Sequence, residues 1–205
     1  MNSEVGLDIA GMVECRGVDW PIDRGGSHRP FHLWIRQLPG ASPAMPTAKD
    51  MIRNSAEMAT FIMNLYLEDL PEEALFESLG PGMNPLAWQV GHLISTEKDW
   101  VEKIKPGSCP ALPEGFDAAH SKETAAPNPF KKVATKAEYL AAWSAQRTAT
   151  LAILDAMSDS DLDAPSGVDF APTFATMLNM TGIHPLMHAG QIVAVRRKHG
   201  LAVKM

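Results

Sequence analysis

Apolar residues recur at steps of three and four along four stretches of the chain after residue 45, which is the spacing of one helix face. The first stretch follows Thr47 and ends at Pro71, and the second follows Asn84 and runs to about Ile104. Threonine and asparagine are both residue types that cap helix N-termini. No stretch of useful length alternates between apolar and polar residues, so the pattern predicts helices and no strands.

The third and fourth stretches carry end signals of the same kind. Thr135 and Glu138 have the spacing of a capping box and open the third helix. The fourth helix is predicted to begin around Pro172 or Thr173 and to run to Lys198 or His199. Residues 106–134 form a long connection between helices 2 and 3. The sequence therefore predicts an all-α fold, a four-helix bundle with a long crossover between helices 2 and 3.

Residues 1–45 differ from the rest of the chain in composition and in pattern. They hold four of the eight arginines and none of the ten lysines, and prolines and glycines interrupt any periodicity. We expect either a poorly ordered N-terminal extension or upstream sequence that precedes a true start at Met45 or Met51. Residues 46–205 then form the functional domain, and a chain that begins at Met45 is expected to keep its stability and metal content.

Composition argues against several classes of protein. The chain has 18 basic and 24 acidic residues, a net charge of −6, which argues against a nucleic-acid partner. Its two cysteines cannot form a disulfide scaffold or a thiolate zinc site. No run of about 18 apolar residues and no apolar leader is present, so we expect no membrane partner and a cytoplasmic location.

Three of the seven histidines fall in the interior of predicted helices. His184 and His188 are four residues apart, which places their rings about 40° apart around the helix and about 6 Å apart along it, so both can reach one ion. His92 lies on an apolar-leaning face of the second helix. Three neutral imidazoles in a bundle core suit Zn²⁺, Ni²⁺ or Fe²⁺ and leave one position open. The alternative is a chance spacing of the pair, with His92 as a packed or surface histidine.

Two residues near these histidines are weaker candidates for catalysis. Gln191 follows His188 by three residues and could orient a ligand through its amide, or it could be an ordinary polar residue. Glu97 lies about one turn beyond His92 and is the nearest general base by sequence. The charged residues that follow Glu97 favour a solvent-exposed position for it instead.

Pro185 lies between two of the proposed ligands. It removes the backbone hydrogen bond to Thr181, which costs roughly 3 kcal/mol in a regular helix. Gly182 could absorb a kink at this point. His120 and His199 lie outside the proposed set, and we expect their replacement to leave the metal content unchanged. Metal binding is expected to weaken below about pH 6.5, where imidazole takes up protons.

Two stretches of the chain resemble motifs of the DinB-like superfamily. Residues 81–93 (PGMNPLAWQVGHL), with Trp88 four residues before His92, resemble the entry to its second helix. Residues 184–192 (HPLMHAGQI) resemble its C-terminal His-x-x-x-His-x-Gly-Gln motif. The resemblance covers about residues 47–202. It implies a four-helix bundle, often a homodimer, with a divalent metal held by His92, His184 and His188.

The resemblance also implies a class of chemistry. Thiol-dependent transferases and isomerases that use low-molecular-weight thiols are known in the wider family. A metal ion on three histidines would act as a Lewis acid that lowers the pKa of a substrate thiol or of water. We favour a thiol-dependent transferase acting on a small-molecule substrate. A metal-dependent hydrolase and a non-catalytic, stress-related bundle that binds a metal or a small ligand stay open as alternatives.

Overall fold

The computed structural model describes residues 45–77, 80–125 and 130–204. Over these residues the chain forms seven α-helices, one 3₁₀-helix and no β-strand. The helices are α1 (Ala48–Leu67), α2 (Glu72–Phe76), α3 (Leu86–Ile104), α4 (Phe116–Ala119), α5 (Lys136–Ala156), α6 (Asp159–Leu162) and α7 (Phe174–Lys198), and the 3₁₀-helix spans Lys122–Thr124. The predicted N-terminal extension, residues 1–45, lies outside the described residues apart from Met45.

The four long helices α1, α3, α5 and α7 form the bundle, which confirms the predicted all-α class. Helix α1 packs most extensively against α7, and α3 packs against both α5 and α7. The crossover between α3 and α5 is long, as expected, and carries α4 and the 3₁₀-helix. In the part of the chain that the structure describes, no helix combines the length and the apolar character that a membrane crossing requires.

Side-chain caps define the start of two long helices where the sequence predicts them. Thr47 and Thr135 each form a capping box with the acidic residue three positions later. The predicted cap at Asn84 is wrong, because Pro85 is the N-cap of α3. The carbonyl of Asn84 instead accepts a hydrogen bond from the side chain of Gln89.

The sequence pattern does not predict the short helices α2 and α6, because one turn is shorter than the window in which a helical period can be recognised. Helix α6 nevertheless carries a readable signal, since Ser158 and Asp161 form a capping box. Helix α2 packs on α3, and α6 packs on α7. Each buries a leucine, Leu75 and Leu162 respectively, so the short helices extend the core of the four-helix bundle.

Gly182 allows α7 to approach α1 closely. A Cβ atom at this position would lie 2.1 Å from Oγ of Ser55 and 2.6 Å from its carbonyl carbon. Helix packing therefore accounts for the glycine, and α7 runs from Phe174 to Lys198 with Pro185 inside it. This close contact fixes the position of the helix that carries the His-x-x-x-His pair.

Candidate metal centre

His92, His184 and His188 converge between α3 and α7. One donor nitrogen from each ring lies within 4.8 Å of the others, and Nε2 of His184 is 3.3 Å from Nε2 of His188. All three residues are partly buried. The structure thus brings together the three histidines that the sequence indicates, and no other His, Cys, Asp or Glu of the described residues joins this group.

The spacing of the His184 and His188 nitrogens fits a divalent ion. Two nitrogens at about 2.0–2.1 Å from a tetrahedral zinc ion are about 3.3–3.4 Å apart, and the His184–His188 pair has this spacing. Including His92 in the same set requires ring movements on the order of 1 Å. Three imidazole nitrogens leave one position of a four-coordinate ion for an exogenous ligand.

Gln89, which the sequence analysis does not single out, orients His188. Its Oε1 is 2.9 Å from His188 Nδ1, and its Nε2 donates to the Asn84 carbonyl at 2.9 Å. The second bond fixes the amide, so His188 Nδ1–H is the donor of the first. The lone pair of neutral His188 is then on Nε2, the nitrogen that faces His184. A sequence signal for Gln89 exists, because it lies one turn before His92.

Two tryptophans hold the imidazole rings. Trp88 stacks on His92, with ring centroids 4.9 Å apart and an angle of 11° between the planes. Trp100 lies against His184 at a centroid distance of 5.8 Å. The indole N–H of Trp88 also donates to Oγ1 of Thr124 in the crossover. These contacts restrict rotation of the rings and so preorganise the nitrogens.

Burial keeps these histidines in the neutral form that binds a metal ion. Desolvation, followed by the charges of neighbouring histidines, lowers the pKa of His184 and of His188 to about 4. Desolvation also lowers the pKa of His92, against the opposing effect of a hydrogen bond to the backbone carbonyl of His120. Protons therefore do not compete with a metal ion for the His184 and His188 nitrogens near neutral pH.

Part of the crossover lies beside the three histidines. His120 is buried, with Nδ1 2.7 Å from the Phe116 carbonyl and Nε2 2.8 Å from the Tyr139 hydroxyl. Its ring lies so close to α3 that a Cβ atom at Gly91 would be 2.2 Å from His120 Cδ2. His120 lies outside the three-histidine group, and the expectation that its replacement leaves the metal content unchanged stays a prediction.

The solvent-exposed position expected for Glu97 is also wrong. Its side chain is 3% exposed, and its carboxylate lies 3.1 Å from the guanidinium of Arg147 on α5. The hydroxyl of Thr150 donates to the same carboxylate. Burial raises the pKa of Glu97, while the Arg147 charge and the Thr150 hydrogen bond oppose that rise. A carboxylate paired in the core has no access to a substrate, so the structure removes Glu97 as a general base.

A side chain compensates for the hydrogen bond that Pro185 removes from α7. Proline has no N–H to donate to the carbonyl of Thr181. Nη2 of Arg147 donates to this carbonyl at 2.8 Å instead. The helix continues through Pro185, and the two histidines that flank it, His184 and His188, keep their Nε2 atoms within contact distance.

A pocket of about 300 Å³ lies beside His188. It is lined by Gly82, Met83, Asn84, Trp88, Gln89, His188 and Gln191. The structure therefore places Gln191 at the pocket wall together with His188. The lining offers amide groups and an apolar wall, and it contains no carboxylate or ammonium group. Its size suits a small molecule that contacts His188 directly.

Comparison with known proteins covers the part of the chain that holds the site residues. No curated protein matches the chain. The sequence profile of the DinB superfamily matches residues 62–192, a range that contains all three histidines, Gln89 and Gln191. The helical fold and the three-histidine group agree with this match, and the chain belongs to the DinB superfamily.

Proposed function

We propose that the chain is a divalent-metal-dependent enzyme of the thiol-transferase type, with the ion held by His92, His184 and His188. The observation that carries this proposal is the convergence of three partly buried imidazoles, within 4.8 Å of one another, beside a pocket of about 300 Å³. Membership of the DinB superfamily supports metal binding at this place.

The roles of the chain's own residues follow from their contacts. A divalent ion, when bound, supplies Lewis acidity that favours the thiolate form of a substrate thiol at neutral pH. Gln89 keeps the lone pair of His188 on Nε2, and Trp88 limits rotation of the His92 ring. The amide of Gln191, at the wall of the pocket, offers hydrogen bonds to polar groups of a substrate.

The pocket lining favours a thiol over water as the nucleophile. It contains no carboxylate that could accept a proton, and the carboxylate of Glu97 is buried in an ion pair with Arg147. A thiol with a pKa of about 8.5 needs much less assistance to ionise than water with a pKa of about 15.7. A thiol transferase therefore needs less help from these residues in ionising its nucleophile than a hydrolase does.

Metal-dependent consumption of a thiol tests the proposal. Untagged protein loaded with Zn²⁺, Ni²⁺ or Fe²⁺ is assayed with low-molecular-weight thiols and an electrophile such as 1-chloro-2,4-dinitrobenzene. We expect turnover above the uncatalysed rate that a chelator and His184→Ala abolish and that His199→Ala preserves. Metal-dependent hydrolysis of 4-nitrophenyl acetate without thiol turnover would overturn the transferase in favour of a hydrolase.

A non-catalytic bundle that binds a metal or a small ligand is the second candidate. It is favoured by the lining of the described pocket, where His188 is the one acid–base side chain. Stoichiometric metal in untagged protein, with no turnover of any thiol or ester, would support this function. Absence of metal both after purification and after titration would contradict the metal-dependent enzyme and the metal-binding form of the second candidate.

A further inference from the structure

The ion pair between Arg147 and Glu97 has no part in the proposed chemistry, yet it lies between the two helices that carry the histidines. Glu97 is on α3, five residues after His92. Nη2 of Arg147 is 3.1 Å from Glu97 Oε2 and donates to the Thr181 carbonyl at 2.8 Å. Thr181 is on α7, about one turn before His184. One guanidinium on α5 thus bridges the ligand-bearing segments of α3 and α7.

Burial of this pair costs free energy. The side chains of Arg147 and Glu97 are 4% and 3% exposed. Nε and Nη1 of Arg147 have no hydrogen-bond partner among the residues that the structure describes. Apolar residues of similar volume often stabilise a core at least as well as a buried ion pair does. Stability alone therefore does not explain a guanidinium at this position.

Pro185 supplies the explanation. In a regular helix the Thr181 carbonyl accepts from the backbone N–H of residue 185, and proline has none. Without Arg147 this buried carbonyl would lack a donor, and α7 would bend to expose it to water. The bend would fall between Thr181 and Pro185, the segment that contains His184, and would change the direction of its ring relative to that of His188.

We propose that Arg147, held in place by Glu97, is a positioning residue for the three-histidine centre. Its guanidinium replaces the donor that is missing at Pro185 and thereby fixes the direction of the His184 ring. The inference rests on the proposed function for the ion, whereas the geometry that it explains is present in the fold itself.

The first experiment removes the guanidinium of Arg147 and then restores a backbone N–H at residue 185. Arg147→Met/Glu97→Gln removes both charges and keeps an acceptor for Thr150. We expect its Co²⁺ affinity to fall about 10-fold or more and the visible absorption of bound Co²⁺ to shift as the ligand geometry changes. Adding Pro185→Ala restores an N–H for the Thr181 carbonyl, and we expect affinity and spectrum to return to those of the wild type.

Two further variants separate positioning from stability. Leu154→Ala removes a side chain of α5 that is 1% exposed and leaves the guanidinium in place. We expect it to lower the thermal midpoint and to leave the Co²⁺ spectrum unchanged. Pro185→Ala alone is expected to bind like the wild type. Failure of Pro185→Ala to rescue the double variant, or the same spectral change in Leu154→Ala, would overturn the positioning role.

A second experiment needs no metal. Ring ¹⁵N chemical shifts of metal-free protein report the contact between Nε2 of His184 and Nε2 of His188. We expect the double variant to lose the wild-type pattern and the triple variant to regain it, and unchanged shifts in the double variant would overturn the proposal. Wild-type protein that binds no Co²⁺ would contradict the proposed function while these shifts still decide the positioning role.

A milder variant covers the case in which the double variant does not fold. Arg147→Lys retains a positive charge opposite Glu97, so the buried carboxylate is not left without a partner. Its side chain is one atom shorter, so we expect it to lose the contact with the Thr181 carbonyl. Like the double variant, it should then bind Co²⁺ more weakly and lose the wild-type pattern of ring ¹⁵N shifts. Wild-type affinity together with wild-type ring shifts in this variant would count against the proposal.

Discussion

Gly91 is the position at which one added methyl group tests the contact between α3 and the crossover. The Cβ of an alanine there would lie 2.2 Å from Cδ2 and 2.3 Å from Nε2 of His120. His120 is 1% exposed, and its ring nitrogens form hydrogen bonds with the Phe116 carbonyl and the Tyr139 hydroxyl. Non-bonded atoms cannot approach so closely, so Gly91→Ala must displace the ring and break both hydrogen bonds.

The cost of this displacement can be worked out from the groups involved. Each lost hydrogen bond costs about 1 kcal/mol, and the buried groups left without a partner cost about 1–3 kcal/mol more. The greater helix propensity of alanine offsets about 1 kcal/mol. We therefore expect Gly91→Ala to lower the free energy of unfolding by about 2–4 kcal/mol. For a domain of this size the thermal midpoint should fall by about 4–16 °C.

Gly190→Ala is the matched control, measured alongside by urea and thermal unfolding. Gly190 is an exposed position in the interior of α7, and a Cβ atom there meets nothing within 4 Å. We expect this variant to gain up to about 1 kcal/mol from helix propensity. The same chemical change in two helices should thus have opposite signs.

A double variant assigns the loss to the ring of His120. Gly91→Ala/His120→Ala should be no less stable than His120→Ala alone, because the displaced ring is already absent. If Gly91→Ala matches or exceeds the wild type in stability, the described contact between α3 and His120 is wrong.

The remaining predictions concern the metal centre. Replacing any one of the three histidines with alanine should remove most of the metal found by elemental analysis, whereas His199→Ala should retain it; equal metal in all four variants would contradict the proposed site. Gln89→Leu should weaken Co²⁺ affinity about 10- to 100-fold, because His188 loses the partner that orients it, and Gln191→Ala should weaken it less; the reverse order would contradict the orienting role of Gln89. Burial lowers the pKa of the two α7 histidines to about 4, so the loss of affinity expected near pH 6.5 from the sequence moves to lower pH. Protonation of these two residues should lower the Co²⁺ affinity by less than about 2-fold between about pH 7.5 and about pH 5.5. Each imidazole with an ordinary pKa would instead lower the affinity about 10-fold over the same range. The metal-free fold should lose stability over the same range, because the unfolded chain takes up protons that the folded histidines do not; a thermal midpoint that rises as pH falls would contradict this.

Local signals explain how much of the fold could be predicted from the sequence. A capping box spans three residues and a His-x-x-x-His pair spans four, so Thr47, Thr135 and the α7 pair are defined by their own neighbours. Gln89 was also within reach of such reasoning, since it lies one turn before His92. The long helices and the His184–His188 pair can therefore be predicted from short stretches of sequence.

Pairs of residues that are distant along the chain could not be predicted in this way. Glu97 is buried because Arg147, fifty residues later, provides its counter-charge, while Asp99, two residues after Glu97, is exposed and suggests the opposite. His120 is buried because Gly91 leaves room for its ring. In each case the deciding partner lies on another element, and no local period or spacing indicates it.

The most extensive helix contact joins α1 to α7, the first and the last of the described helices, and this arrangement sets an order for the maturation of the chain. Contacts between segments far apart in sequence form late in folding. A growing chain that ends before residue 184 offers an ion only His92 of the three histidines. We expect metal capture to follow the docking of α7, and the bound ion then opposes local opening of that helix. In a cell deprived of the metal, finished chains would accordingly lack this added protection of α7 against local opening.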